Sequence, residues 1–414
     1  MERNVLKDIL LIQNKTTEEQ FISRTLMKKI DEYRKTPFVM IITGIRRCGK
    51  STLMNCLKTK DCYYVNFDDE RFINFSVHDF QMLYELLIEF FGEKDIFLFD
   101  EIQNIKGWER FVRRLHDEKK KIYVTGSNAS MLSRELGTHL TGRSISLQLY
   151  PFSFREFLEM KKYVLSPLDA LTSIEKSKIK NHFNKYFEEG GFPEYLKTKK
   201  SEYLKNVYEN IIYRDIITRY KLTKEKPIKE TVYFVAGNIG KEISFNTVKK
   251  LTGLTSATTI KEYFEYLENS YLVFLLSRYD PSLKKQAYYN KKAYFIDAAM
   301  ARIIGFRPSE DDGRLLENIV FLDLKRKNHE VYFHKQKKEC DFLIKSGRNI
   351  ICAIQVSCYL KKNKEREIAG LLEAIETYRL KEGLILTLDE EGEIITNNKK
   401  ITIKPVWKWM LENE

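Results

Sequence analysis

The sequence predicts an α/β chain: a doubly wound parallel sheet first, then a helical stretch, then a second α/β region. Three observations carry this. Between Phe38 and Leu149, short apolar segments alternate with amphipathic ones; the alternation stops after Pro151; strand-like segments return beyond Asp311. Strands apolar along their whole length are buried on both faces, and strands separated by helices pair in parallel. A chain of 414 residues exceeds one compact core, and the expected division is 1–160, 161–300 and 301–414.

In order along the chain, Thr17 to Arg34 reads as an amphipathic helix, with Phe21, Ile22, Leu26 and Ile30 on one face. Phe38 to Thr43 is a buried strand that runs straight into a glycine. Further strands are expected at Cys62 to Phe67, Ile96 to Phe99, Lys121 to Thr125 and Ser144 to Leu149. The helices between them fit Thr52 to Lys58, Asp79 to Phe91, Gly107 to Glu118 and Asn128 to Leu136. Past Pro151, helices are expected at Phe152 to Met160, Ile174 to Glu189 and Tyr203 to Tyr220, punctuated by Gly190-Gly191-Phe192-Pro193. From Ser244 the pattern is helix, turn at Thr252-Gly253, helix, then a hairpin from Leu272–Leu276 to Lys292–Ile296. That is the order of a winged helix, with Thr255, Ser256, Thr258, Thr259 and Lys261 placed to face DNA. Winged helices also serve as protein-packing modules, so this spacing leaves both uses open. The last region reads as a helix at Arg314 to Lys327 and strands at Glu330 to His334, Cys340 to Lys345 and Ile350 to Val356. A helix at Lys364 to Tyr378 and a strand at Gly383 to Leu388 close it.

Composition bounds the function. With 43% apolar and 31% charged residues, the chain has the make-up of a folded globular protein. No stretch approaches the roughly 18 to 20 uncharged apolar residues of a membrane span. The opening Met-Glu-Arg-Asn lacks the form of a signal peptide, so a cytoplasmic protein with no membrane partner is expected. Six scattered cysteines without a CxxC pair support neither a zinc site nor a disulfide framework. The net charge of +13 suits contact with nucleic acid and equally a lysine-solubilised surface.

The strongest chemistry lies at Gly44-Ile45-Arg46-Arg47-Cys48-Gly49-Lys50-Ser51-Thr52, which matches GxxxxGK[ST] between a buried strand and a helix. Glycines let the backbone N–H groups close around phosphates, and the following helix adds the positive end of its dipole. Lys50 should reach the β- and γ-phosphates of ATP, and Ser51 should place its hydroxyl on Mg²⁺. Ile96-Phe-Leu-Phe-Asp100-Glu101 ends an apolar strand in two acids: Asp100 to orient Mg²⁺, Glu101 as the general base for the attacking water. At the end of the next strand, Ser127 or Asn128 either senses the γ-phosphate or caps the following helix. Arg143 is a surface arginine or a transition-state cation, acting in cis or across the boundary of a homo-oligomer.

These residues, with Phe99-Asp-Glu-Ile-Gln103, Thr125-Gly-Ser-Asn-Ala-Ser130, Leu140-Thr-Gly-Arg143, Pro151-Phe-Ser-Phe-Arg-Glu-Phe-Leu158 and Gly190-Gly-Phe-Pro-Glu-Tyr195, carry a resemblance over nearly the whole chain. It resembles the predicted AAA-type ATPases of bacteria and archaea whose C-terminal half is a nuclease-like domain of unknown function. The resemblance implies a P-loop ATPase sheet of the additional-strand type, with a glutamate-activated water. The last region resembles the restriction-endonuclease-like core, in which a helix acid, a strand Asp and a Glu-x-Lys triplet gather around Mg²⁺. Glu317 and Asp341 fit the first two places, and Glu339 projects from the same strand face as Asp341. The triplet departs: Gln355 stands for the metal-binding acid and Ser357 for the lysine. A neutral amide is a poor ligand for a hard metal, so nuclease chemistry is expected to be lost unless Lys361 or Lys362 substitutes.

The reading is a Mg²⁺-dependent ATPase, motor or switch, acting near DNA that it binds non-specifically. The rival readings are a slow nucleotide-gated protein-assembly module and an active ATP-coupled nuclease.

Overall fold

A computed structural model describes residues 1–15, 21–127, 140–305 and 312–412. The chain divides into two compact units: Met1–Tyr150 with Asn269–Tyr271, and Pro151–Glu268 with Leu272–Glu414. The second unit holds the 301–414 segment and, apart from Asn269–Tyr271, the 161–300 segment.

The first unit is a five-stranded parallel sheet: β1 (Val39–Thr43), β2 (Cys62–Asn66), β3 (Ile96–Asp100), β4 (Lys121–Gly126) and β5 (Ser144–Gln148). Their spatial order is β2-β3-β4-β1-β5, and every pairing is parallel. β4 therefore sits between the strand that leads into the glycine loop and the strand that ends in two acids, the additional-strand arrangement. All five residues of β1 are buried, as a strand covered on both faces requires. Val39, Ile41, Tyr63, Val65, Phe97, Phe99, Ile122 and Val124 form one core with Trp108 and Phe111 from the helix Trp108–Asp117.

The amino-terminal segment corrects the sequence reading. No single helix runs through to Arg34: Phe21–Arg24 has no regular secondary structure, and the helices described are Arg3–Gln13 and Leu26–Arg34. Leu6, Ile9 and Leu10 of the first helix are fully buried in the sheet's core. The expected helix at Asn128 to Leu136 lies outside the described residues.

The second unit begins with two motifs that meet. Ser153 and Glu156 form a capping box at the start of the helix Phe154–Met160, each satisfying the other's backbone N–H. The Phe152 N–H donates to the Gly191 carbonyl at 2.7 Å. A Cβ on Gly191 would lie 2.4 Å from the Phe152 oxygen, and one on Gly190 would lie 2.3 Å from a carboxylate oxygen of Asp297. Only glycine lets these backbones approach so closely. Pro151-Phe-Ser-Phe and Gly190-Gly-Phe-Pro are therefore packing elements of this unit.

Downstream, β6 (Glu242–Ile243), β7 (Val273–Leu276) and β8 (Lys291–Phe295) form a small antiparallel sheet in the order β6-β8-β7. Between β6 and β7 lie the helices Phe245–Leu251 and Ala257–Asn269, whose Val248, Ile260, Phe264 and Leu267 are buried. The chain then builds β9 (Glu330–Lys335), β10 (Glu339–Ser346), β11 (Asn349–Ser357), β12 (Glu382–Thr387), β13 (Gly392–Thr396) and β14 (Lys399–Pro405). Their order is β13-β14-β12-β11-β10-β9. The pairings β9–β10–β11 and β13–β14 are antiparallel, and β11–β12–β14 are parallel. The helix Leu360–Thr377 makes the crossover from β11 to β12, burying Leu371, Ala374 and Ile375 against the sheet.

Candidate nucleotide site

The glycine loop leaves β1 at Gly44, where a Cβ would meet the Leu149 oxygen at 2.2 Å, so this position accepts only glycine. Gly49 closes the loop at φ 103° and caps the helix Lys50–Leu57. Arg47 also takes a left-handed conformation, at φ 67°. Ile45 and Cys48 are fully buried and anchor the loop from below, while Arg47, Ser51 and Thr52 are exposed at its surface. The Cys48 N–H donates to the Ile45 carbonyl at 3.3 Å within the loop, and N–H groups of a loop so shaped suit an anion.

Lys50 is 5% exposed. Its ammonium donates to the carbonyls of Gly44 at 3.1 Å and Ile45 at 3.4 Å, and pairs with Glu101 at 3.4 Å. Burial opposes the charge on Lys50, but Glu101, then Cys48 and Asp100, outweigh it, and the pKa lies above its ordinary value. Glu101 shows the converse. Burial would raise its pKa, yet Lys50, Gln103 and Arg46 hold it below the ordinary carboxylate range. The two shifts agree, and the pair is ionised at neutral pH.

Glu101 follows β3 at φ 51°, ψ 38°, a left-handed conformation rare for a residue with a side chain. That turn breaks the strand and brings its carboxylate to Lys50. Its backbone N–H donates to the Thr125 hydroxyl at 2.9 Å, which fixes the turn to β4. Asp100 is fully buried. It accepts hydrogen bonds from the hydroxyls of Thr125, Tyr64 (3.1 Å) and Ser51. Burial raises its pKa, against the lowering effect of the Ser51 and Thr125 hydroxyls. Ser51 and Asp100 are thus already in contact, an all-oxygen donor pair of the kind a hard cation such as Mg²⁺ takes.

Ser127, just past β4, is 2% exposed, and its hydroxyl has no hydrogen-bond partner among the described residues. Gln103 keeps one buried amide oxygen unsatisfied in the same way. Asn128 lies outside the described residues. Arg143 stands apart from the loop: it precedes β5, next to Val39 at the amino end of β1, and pairs with Asp117. Five strand residues separate that end from Gly44, roughly 16 Å. Arg143 thus sits at the opposite end of β1 from the glycine loop.

Sequence reasoning missed Arg24. Its guanidinium donates to the Cys48 carbonyl at 3.0 Å and the Tyr150 carbonyl at 2.6 Å, tying the glycine loop to the end of β5 from outside. Its only sequence signal is an arginine in the break before the helix Leu26–Arg34. Tyr64 was missed too, although its alternation within β2 puts it on one face with Asn66.

An AAA domain profile matches residues 36–158, and a domain of unknown function (DUF8612) matches residues 180–310. The uncharacterized protein MJ1544 of Methanocaldococcus jannaschii is 35% identical over 397 residues, covering 90% of this chain and 88% of its own. An uncharacterized protein of Haemophilus influenzae is 30% identical over 373 residues, covering 85% and 90%. Among solved structures, the chain is similar to a Walker-type ATPase of Pyrococcus abyssi, at 16% identity and TM-score 0.44, over 72% of this chain and 99% of that one. Among the described residues no helix is long and apolar enough to cross a membrane. The chain belongs to the family of these archaeal and bacterial proteins, with an AAA domain over residues 36–158.

Proposed function

We propose that the chain is a Mg²⁺-dependent ATPase whose hydrolysis drives a conformational change near DNA. The observation that carries it is the convergence of Lys50, Glu101, Asp100 and Ser51 at the carboxyl ends of β1 and β3. Backbone N–H groups of Gly44–Lys50 take the phosphates, and the Lys50 ammonium moves from the Gly44 and Ile45 carbonyls to the β- and γ-phosphate oxygens. Ser51 and Asp100 hold Mg²⁺, which when bound neutralises phosphate charge. Glu101, released from Lys50, accepts a proton from the attacking water. Beside Lys50 its carboxylate is held ionised, so it enters the reaction without a proton. The unpartnered Ser127 hydroxyl is the sensor for the γ-phosphate, with Asn128 as the rival. Arg143 acts on the nucleotide of a neighbouring copy in a homo-oligomer.

The DNA part rests on the second unit and on charge. The helix pair Phe245–Leu251 and Ala257–Asn269 followed by the β7–β8 hairpin has winged-helix order. Thr255, Thr258 and Lys261 are exposed at the start of the second helix, with a net charge of +13 on the chain. The six-stranded sheet with Glu317 and Asp341 is read as a restriction-endonuclease-like core that no longer cuts. ATP turnover measured with and without DNA tests the whole reading. Stimulation by DNA supports it; a slow rate indifferent to every nucleic acid favours the protein-assembly alternative.

A further inference from the structure

The sequence singles out Glu317, Glu339 and Asp341 as acids that face one another, and the structure brings a fourth, unforeseen group among them. They line a cavity of about 940 Å³ in the second unit, with Gln355, Arg366 and Glu367 beside them. Lys292 enters from β8 of the small sheet, and its side chain is 1% exposed. Its ammonium lies 3.0 Å from Glu317, 2.9 Å from Glu339 and 2.9 Å from Asp341. The three N–H bonds of an ammonium thus have one carboxylate each.

The remaining contacts hold this arrangement in place. Tyr294, two residues along β8, donates its hydroxyl to Glu317 at 2.6 Å. The second Asp341 oxygen accepts from the Val356 N–H at 3.0 Å. Gln355 turns its amide oxygen to the Asp341 N–H at 3.2 Å and its amide nitrogen to Glu367, so neither is directed at Lys292. Nothing in the nucleotide mechanism uses these groups. A lysine is buried this completely only when opposite charge compensates its desolvation, and three carboxylates around one ammonium more than do so.

We propose that Lys292 is the resident cation of a three-carboxylate site that would otherwise take a divalent metal such as Mn²⁺ or Mg²⁺. The site's oxygens converge on one point, and the nitrogen occupies it. A divalent ion needs the same oxygens at about 2.1–2.4 Å, so metal and ammonium exclude each other. The loss of metal chemistry in this core then rests on a residue of the small sheet as well as on Gln355 and Ser357. The ammonium also fastens β8 to β10 and to the helix Asp312–Arg326, and the Lys335–Glu242 pair fastens β6 to β9.

The test is Mn²⁺ binding to the full chain without nucleotide, by electron paramagnetic resonance and calorimetry, in wild type, Lys292→Met and Lys292→Met/Asp341→Asn. The expected result is no Mn²⁺ at this site in wild type. Lys292→Met should gain one ion at least about tenfold more tightly than any wild-type binding, and the double variant should lose it. Thermal midpoint gives a second reading: Mn²⁺ should raise that of Lys292→Met and leave wild type unmoved. Wild-type binding that disappears on Asp341→Asn overturns the proposal. So does a folded Lys292→Met that binds ATP and takes no Mn²⁺. A Lys292→Met chain that stays unfolded even with Mn²⁺ also overturns it, because the metal should then stand in for the ammonium.

Discussion

Asp297 gives the most quantitative prediction. Its carboxylate is 3% exposed and accepts from the N–H groups of Gly191 at 2.7 Å and Met300 at 2.9 Å. Burial raises its pKa from 3.8 to about 6, the backbone hydrogen bonds and Arg326 opposing it. The folded pKa is therefore above the unfolded one, so the folded chain holds this proton more tightly. The stability this contributes is fully present below about pH 4 and is lost as pH rises through about 6. Two pKa units correspond to about 3 kcal/mol, and a fully buried group needs no discount for screening. Asp297→Asn removes the titration. It also leaves one N–H facing an amide NH₂, a pH-independent cost of about 1–3 kcal/mol. Urea unfolding of the second unit, followed by the fluorescence of Trp407 and Trp409, should be compared between pH 4 and 6.5. Wild type should lose about 2 kcal/mol relative to Asp297→Asn across that range, the rest of the effect lying below pH 4. Identical pH slopes in the two proteins would refute the reasoning.

Three other outcomes are expected. Lys50→Ala should weaken ATP binding by about ten- to a hundredfold, the scale of a lost hydrogen bond to a charged group, measured with a fluorescent nucleotide. Gly191→Ala should destabilise the second unit by about 2–3 kcal/mol, because a methyl against the Phe152 oxygen forces backbone to move; its melting temperature is the measurement. DNA binding should be non-specific and fall steeply between low and physiological salt, whereas a salt-independent affinity would leave the +13 charge to solubility.

The nucleotide loop was legible because its signal is local: an apolar strand, glycines at required backbone positions, and a helix start. The five strands were legible for the same reason, and their spatial order came only with the family resemblance. Arg24 and Lys292 were illegible because their partners lie far along the chain, at Tyr150 and at Glu317 to Asp341, and spacing carries no information about such pairs. The place of Arg143 was left open because strand direction, invisible in a motif, sets which end of the sheet a residue occupies. Other misses had a signal that was passed over. Leu6, Ile9 and Leu10 mark a helix face in Arg3–Gln13. Asn397 and Asn398, at φ 50° and 57°, make the two-residue turn that joins β13 to β14.

The central claim is that Glu101 activates water on an ATP held by Lys50, and single-turnover hydrolysis by wild type and Glu101→Gln tests it most directly. The variant keeps the shape of the side chain and its contact with Gln103 but cannot take a proton. The account predicts that it binds ATP as wild type does and hydrolyses it at least about a hundredfold more slowly. Hydrolysis at the wild-type rate in a variant that binds normally would contradict the account and place the base elsewhere.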